Sequence, residues 1–286
     1  MSRRTRNVII ALMIAVVVVP LVPVVLWSFA DVWPFELVIP DFSLRSWSRT
    51  FSNARVLVAL RNSLCLCAGV TFLSLAMSFF AAKNLGTKRF KGRKLIQFLL
   101  LVPSFMPQIA IVFGMQRVFS QIGLYNNVAG VVVALLVFYV PYCTLLLSAV
   151  FEGYDTAYED QARTLGARPL TVLFCVTLPA VRSGIIVTSI FCFIGVWAAY
   201  LVVSVVAPPG FQTMSLLAFP MISSASNGYA LTACVTLLYI APIVAILVIF
   251  SGLLANDKVK KAATGRADSA GPAAEEARIS NTGGII

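Results

Sequence analysis

The chain has 286 residues, of which 59% are hydrophobic and 12% charged, against roughly 25% charged in soluble domains. A mean hydropathy of +0.92 excludes an ordinary soluble domain and makes the bilayer the main solvent. The net charge of +11 is explained by membrane topology and attraction to anionic lipid, so no nucleic-acid partner is expected.

Apolar runs of about 20 residues, enough to cross a hydrocarbon core of roughly 30 Å, fall near 8–30, 62–82, 95–119, 128–150, 183–207 and 229–254. They predict an all-α, polytopic membrane protein with six transmembrane helices. The first run follows Arg3, Arg4 and Arg6. Its apolar stretch is longer than a signal peptide needs and no small-x-small cleavage site precedes Trp27, so it is expected to be retained, bent by Pro20 and Pro23. Basic residues set the orientation: the N-terminal arginines, Lys83, Lys88, Arg89, Lys91, Arg93 and Lys94, then Arg163, Arg168 and Arg182, and a basic tail share one side. Arg45, Arg49, Arg55 and Arg61 lie on the other, which places both termini in the cytoplasm. Residues 1–255 form the membrane domain, with a cytoplasmic hairpin at 151–182, and the tail at 256–286 is expected to be disordered.

What the spans lack narrows the function. Every acid (Asp31, Glu36, Asp41, Glu152, Asp155, Glu159, Asp160, Asp257, Asp268, Glu275 and Glu276) falls outside them, whereas ion-driven carriers keep ionisable groups at membrane depth. The sequence has no Gly-x4-Gly-Lys-Ser/Thr loop, so ATP hydrolysis would belong to a separate subunit. The absence of His and of carboxylate pairs in the spans argues against a membrane-embedded hydrolase. Cys65, Cys67, Cys143, Cys175, Cys192 and Cys234 read as packing residues, with neither a metal site nor disulfides implied.

The hairpin between the fourth and fifth spans carries the most information. Thr156-Ala157-Tyr158-Glu159 has the form of a capping box, which predicts a helix start. Tyr154, Tyr158, Ala162 and Leu165 form an apolar stripe, with Asp155, Glu159 and Arg163 towards the other side and Glu159 and Arg163 spaced to pair. Gly166 is placed to end that helix and Pro169 to open a second one carrying Leu170, Leu173, Phe174 and Thr177. From spacing alone the hairpin reads equally as a docking device or as an ordinary capped loop.

Asp160-Gln161-Ala162, Gly166 and Leu178-Pro179 match the register of a known signature: Glu-Ala-Ala, three variable residues, Gly, and Leu-Pro a dozen residues later. With "LRNSL", "LLLVPSFMPQIAIVFGM", "YVPYCTLLLSAVFEGYD" and "FIGVWAAYLVVSVV", the chain resembles the permease subunits of binding-protein-dependent ABC importers of the type I fold. The likeness is to the second permease of polyamine (spermidine/putrescine-type) clusters. The departures are Asp160 for Glu and Gln161 for Ala, which leave open whether Glu159 or Asp160 is the coupling acid.

The resemblance implies an ATP-driven importer in the bacterial inner membrane, built with two ABC ATPase subunits, a second permease and an extracytoplasmic solute-binding protein. ATP and Mg would sit on the ATPase, with no cofactor on this chain. It also implies an ATPase-coupling set of Tyr158, Glu159, Asp160, Ala162, Arg163, Leu165, Gly166, Ala167 and Pro179. For the solute route, polar and aromatic residues of the spans are candidates: Gln108, Gln116 and Tyr139, with Trp197, Tyr200 and Ser204 sharing a helical face. Pro103 and Pro107, with Pro141, are candidate bend points, functional or static. Thiamine, ferric iron and phosphonate are alternative solutes, and a stand-alone secondary carrier or channel is the rival reading.

Overall fold

The computed structural model describes residues 3–30, 42–223 and 228–252. Asp31, Glu36 and Asp41 lie outside these residues, as does the 256–286 tail expected to be disordered. The described chain is helical: α1 (Arg3–Val18), α2 (Leu21–Ser28), α3 (Arg45–Ser52), α4 (Ala54–Thr87), α5 (Arg93–Phe105), α6 (Gln108–Ile122) and α7 (Val128–Glu152) come first. Then follow α8 (Ala157–Thr164), α9 (Pro169–Val172), a π-helical turn (Leu173–Thr177), α10 (Leu178–Ala180), α11 (Arg182–Trp197), α12 (Tyr200–Val206) and α13 (Met214–Ser223). The last helix, α14 (Tyr229–Gly252), is 24 residues long. One compact unit extends to Ile243 and a second begins at Val244, within α14.

Among the described residues, three helices (α4, α7 and α14) are long and apolar enough to cross a membrane, or up to five if each bent pair counts as one span. Hydropathy predicts six spans, the first of them bent; the described residues give three to five, because several of the apolar runs are divided. Proline and local backbone geometry explain the differences. The first run divides at Pro20 into α1 and α2. The 95–119 run breaks at Met106-Pro107, where α5 and α6 meet at 96°. Met106 is extended, at ψ 144°, as a residue before proline prefers. Pro103 lies inside α5 without ending it. The 183–207 run breaks between α11 and α12 at Ala198-Ala199, where Ala199 takes ψ 59°.

The centre of the fold is the pairing of α4 with α7, joined by α11. Small residues let the helices approach: an added Cβ at Gly86 would lie 2.4 Å from Phe151 Cβ and 2.7 Å from the Ser148 carbonyl oxygen. Lipid supplies little hydrophobic drive between helices, so such close packing and interhelical hydrogen bonds carry the association. Ser78 Oγ of α4 donates to the Val140 carbonyl at 2.9 Å. Further along α4, Asn62 Nδ2 donates to the Gln212 carbonyl at 3.0 Å and Ser63 Oγ accepts from the Met214 amide at 2.7 Å. The large core cluster contains Val70, Leu135, Trp197 and Val203. A smaller one, of Phe79, Ala82, Leu147, Phe151 and Val181, gathers Tyr154, Leu173 and Leu178 from the hairpin.

Candidate functional site

The hairpin folds as a short helix, a glycine turn and a second helical segment. Gly166 has φ +83°, a left-handed conformation that a side chain disfavours. The Ala167 amide donates to the Ala162 carbonyl at 3.0 Å and the Gly166 amide to Arg163 at 2.9 Å, the paired bonds of a Schellman cap. Pro169 then occupies the first turn of α9, where its missing N–H leaves no bond unmade. Leu178 packs into the smaller core cluster, and Pro179 lies exposed beside it.

The expected capping box does not form. Thr156 is helical and makes no side-chain cap bond; Asp155 Oδ1 accepts from the Ala157 amide instead, at 2.9 Å. Glu159 is released for another task and is only 2% exposed. Its Oε1 accepts from Thr177 Oγ1 at 2.7 Å and lies 2.7 Å from Lys83 Nζ of α4. Its Oε2 accepts from Lys83 at 2.8 Å and from Arg163 Nη2 at 3.1 Å, so the expected Glu159–Arg163 pairing is present. Burial alone would raise the Glu159 carboxyl, but hydrogen bonds from Lys83 and Thr177, the Lys83 charge and the neighbouring Tyr154 hydroxyl bring it below the ordinary value. Tyr154 Oη is buried and makes no hydrogen bond of regular geometry; burial is the main cause that raises its pKa.

Glu159 and the exposed members of the apolar stripe lie on different sides, as the spacing predicts, but Tyr154 of that stripe packs inward. Glu159 points inward, while two members of the apolar stripe point out: Tyr158 is 60% and Leu165 88% exposed. Ala162 is half-buried. Asp160 is exposed and pairs with Arg163 Nη1 at 2.9 Å. Leu170 and Phe174 continue the exposed apolar surface on the second segment, at 68% and 61%. The two adjacent acids are thus unlike: one is spent within the chain and the other is presented outward. Spacing missed Lys83 and Thr177, the partners that decide this. The signal available was Lys83 itself, a lone cation before the basic loop at the end of a long apolar helix.

The solute candidates do not form one set. A cleft of about 230 Å³ beside the α5–α6 break is lined by Pro103, Ser104, Gln108, Phe138, Tyr139, Tyr142, Phe191 and Gly195, among others. Of the predicted residues, Gln108 and Tyr139 line it together with Pro103. Gly195 makes room for Tyr139: a Cβ there would lie 2.5 Å from the ring's Cε1. Gln116 is elsewhere, donating from Nε2 to Tyr125 Oη at 3.1 Å. Trp197 is 1% exposed, and its Nε1 donates to the Tyr239 carbonyl at 3.1 Å. Tyr200 stacks on Phe219 at 4.4 Å. Ser204 bonds its own helix, donating to Leu201 at 2.9 Å. The face expected to unite Trp197, Tyr200 and Ser204 is lost because the helix stops at Trp197 and restarts at Tyr200.

The family model described as "Binding-protein-dependent transport system inner membrane component" matches residues 74–259. The chain belongs to this family: it is a permease subunit of the ABC transporter class, a non-enzymatic component of the bacterial inner membrane.

Among curated relatives, the sulfoquinovosyl glycerol transport system permease protein SmoH of Agrobacterium fabrum is 26% identical over 56% of this chain and 56% of its own length. The chain thus spans little more than half of that relative, and 63% of the diacetylchitobiose uptake permease NgcG of Streptomyces coelicolor, at 26% identity over 65% of this chain. The spermidine/putrescine permease PotC of Escherichia coli is 24% identical over 77% of this chain and 82% of its own. Among solved structures, a bacterial ABC transporter for import of the acidic polysaccharide alginate covers 88% of this chain and 98% of its own, with a TM-score of 0.70 at 16% identity, a likeness of fold.

Proposed function

We propose that this chain is one of two unlike permeases of an ATP-driven importer, forming the solute pathway with the second and receiving mechanical work through the 156–179 hairpin. ATP and Mg are held by two copies of a separate ATPase on the cytoplasmic side, and an extracytoplasmic binding protein delivers the solute. The observation that carries this reading is the hairpin's outer face. Tyr158, Leu165, Leu170 and Phe174 are exposed on a segment whose fold is fixed from behind by the buried Glu159. Asp160, exposed beside them, is the acid we assign to the ATPase, in the register of the family's glutamate.

For the solute, a polyamine is our reading, supported by the PotC relatives and by the sequence likeness to polyamine-type second permeases. The cleft at the α5–α6 break offers aromatic faces for a cation, with the Gln108 amide and tyrosine hydroxyls as polar contacts. The test is uptake of labelled spermidine into proteoliposomes holding the full complex with its binding protein. ATP-dependent spermidine uptake supports the proposal. Uptake of a sugar derivative or another small solute instead replaces the solute while keeping the class. Full activity with no ATPase present would establish the rival reading, a stand-alone carrier or channel.

A further inference from the structure

Lys83 and Glu159 are 76 residues apart in sequence, yet their side chains meet at 2.8 Å. Glu159 is 2% exposed, although an acid on an eight-residue surface helix could have stayed in water at no cost. Removing a carboxylate from water costs several kcal/mol unless charge and hydrogen bonds replace the lost hydration. Here Lys83 of α4 and Thr177 of the π-helical turn provide them, with Arg163 closing the outer side. Three separate elements thus converge on one carboxylate. The hairpin's first helix is held to its second segment by Thr177 and to the longest helix of the fold by Lys83.

The same helix is held again at its far end. From Ser63 to Lys83 the rise is about 30 Å, the thickness of a bilayer core. At that distance Asn62 and Ser63 bond the Gln212 carbonyl and the Met214 amide, so the start of α13 is joined to α4 by two hydrogen bonds. Between the two ends, Ser78 bonds α4 to α7. α4 is an uninterrupted helix of 34 residues with no internal proline, whereas α5, α7 and α13 contain one.

We propose that Lys83, Glu159 and Thr177 form a clamp that makes the coupling hairpin move with α4, so that a displacement imposed at the hairpin reaches the 212–214 segment at the helix's other end. Lys83 is then a positioning residue of transport, acting through Glu159 rather than on ATP or solute. The proposal rests on the hairpin being the ATPase-coupling element. It also separates the roles of the adjacent acids, Asp160 facing the partner and Glu159 holding the lever.

The test is hydrogen–deuterium exchange on the complete complex, purified with its ATPase, in the nucleotide-free state and after trapping with ATP and vanadate. In the wild type, trapping is expected to change exchange both in the hairpin at 157–180 and in the segment at 212–216. In Lys83→Met and Thr177→Val the hairpin response persists while the 212–216 response is lost. Lys83→Arg and Thr177→Ser, which keep the charge and the hydroxyl, restore it. The double variant Lys83→Met, Glu159→Gln strands neither charge, so it keeps the test open if a single variant fails to fold, and it too loses the distal response. A 212–216 response that survives in Lys83→Met and in the double variant overturns the clamp alone. A wild-type chain that purifies without any ATPase overturns the coupling reading and the clamp with it.

Discussion

Glu159 shows how one side chain can be committed by its surroundings. With Lys83, Thr177 and Arg163 on its oxygens, the ionised form is favoured and its carboxyl lies below the ordinary value. A lowered carboxyl contributes stability that is complete above its unfolded value and is lost only as pH falls through the folded one. Glu159→Gln is therefore expected to cost about 2 kcal/mol at pH 7, the scale for leaving a charged hydrogen-bond partner stranded. The difference in melting temperature between wild type and variant should begin to shrink as pH falls below the ordinary glutamate value of about 4.3 and continue until pH passes the lower value of the folded carboxyl, where the native side chain becomes neutral. A difference that stayed constant from pH 7 to pH 3 would contradict this.

Gly195 borders the cleft at the α5–α6 break. An added Cβ would meet only the far end of the Tyr139 ring, which can swing away. Gly195→Ala should barely change the melting temperature but push Tyr139 into the cleft and lower uptake. Equal uptake by variant and wild type would remove this cleft from the solute route.

Among the elements, the α4–α7 contact and the hairpin turn are both sensitive to single changes. At Gly86 an added Cβ would meet backbone as well as side chain, lying 2.7 Å from the Ser148 carbonyl oxygen and 2.9 Å from the Phe151 carbonyl carbon. Nothing there can rotate aside, so Gly86→Ala is expected to separate the helices and cost about 1–3 kcal/mol, visible as a lowered melting temperature in detergent. Gly166 poses the opposite problem: no atom lies within 4 Å of an added Cβ, but φ is +83°. Gly166→Val should destabilise the hairpin by about 1–2 kcal/mol and Gly166→Asn by less, since Asn tolerates this conformation. Exchange rates over 157–167 measure both.

The hairpin's glycine turn and the Pro169 start were legible because glycine and proline act locally through their own backbone. The direction of its first helix was not. Spacing separates Tyr158 and Leu165 from Glu159 without saying which side is buried, and only the arrival of Lys83 from 76 residues away turns the Glu159 side inward. The bend at Pro107 was legible as a candidate because proline acts on its own backbone, whereas the break at Ala199 was hidden in hydropathy, which counts apolar residues without registering where backbone direction changes.

For the whole molecule, family membership rests on a match over residues 74–259, the part that contains the hairpin, α7, α11 and the C-terminal end of α4. The fold likeness to the alginate importer covers 88% of the chain. The class was legible because composition dictates the membrane and the hairpin signature lies within one short stretch of sequence. The solute was less so: the spans carry no carboxylate, and neutral aromatic, amide and hydroxyl groups suit several chemistries. The proposed function turns on the exposed face of the hairpin docking an ATPase. Its most direct test is purification of the tagged full-length chain from its native membrane, beside Leu165→Asp, a change at a position already 88% exposed that should leave the fold intact. An ATPase is expected to accompany the wild type and to be lost from Leu165→Asp at equal membrane abundance; equal retention by both, or no ATPase with the wild type, would overturn the docking face.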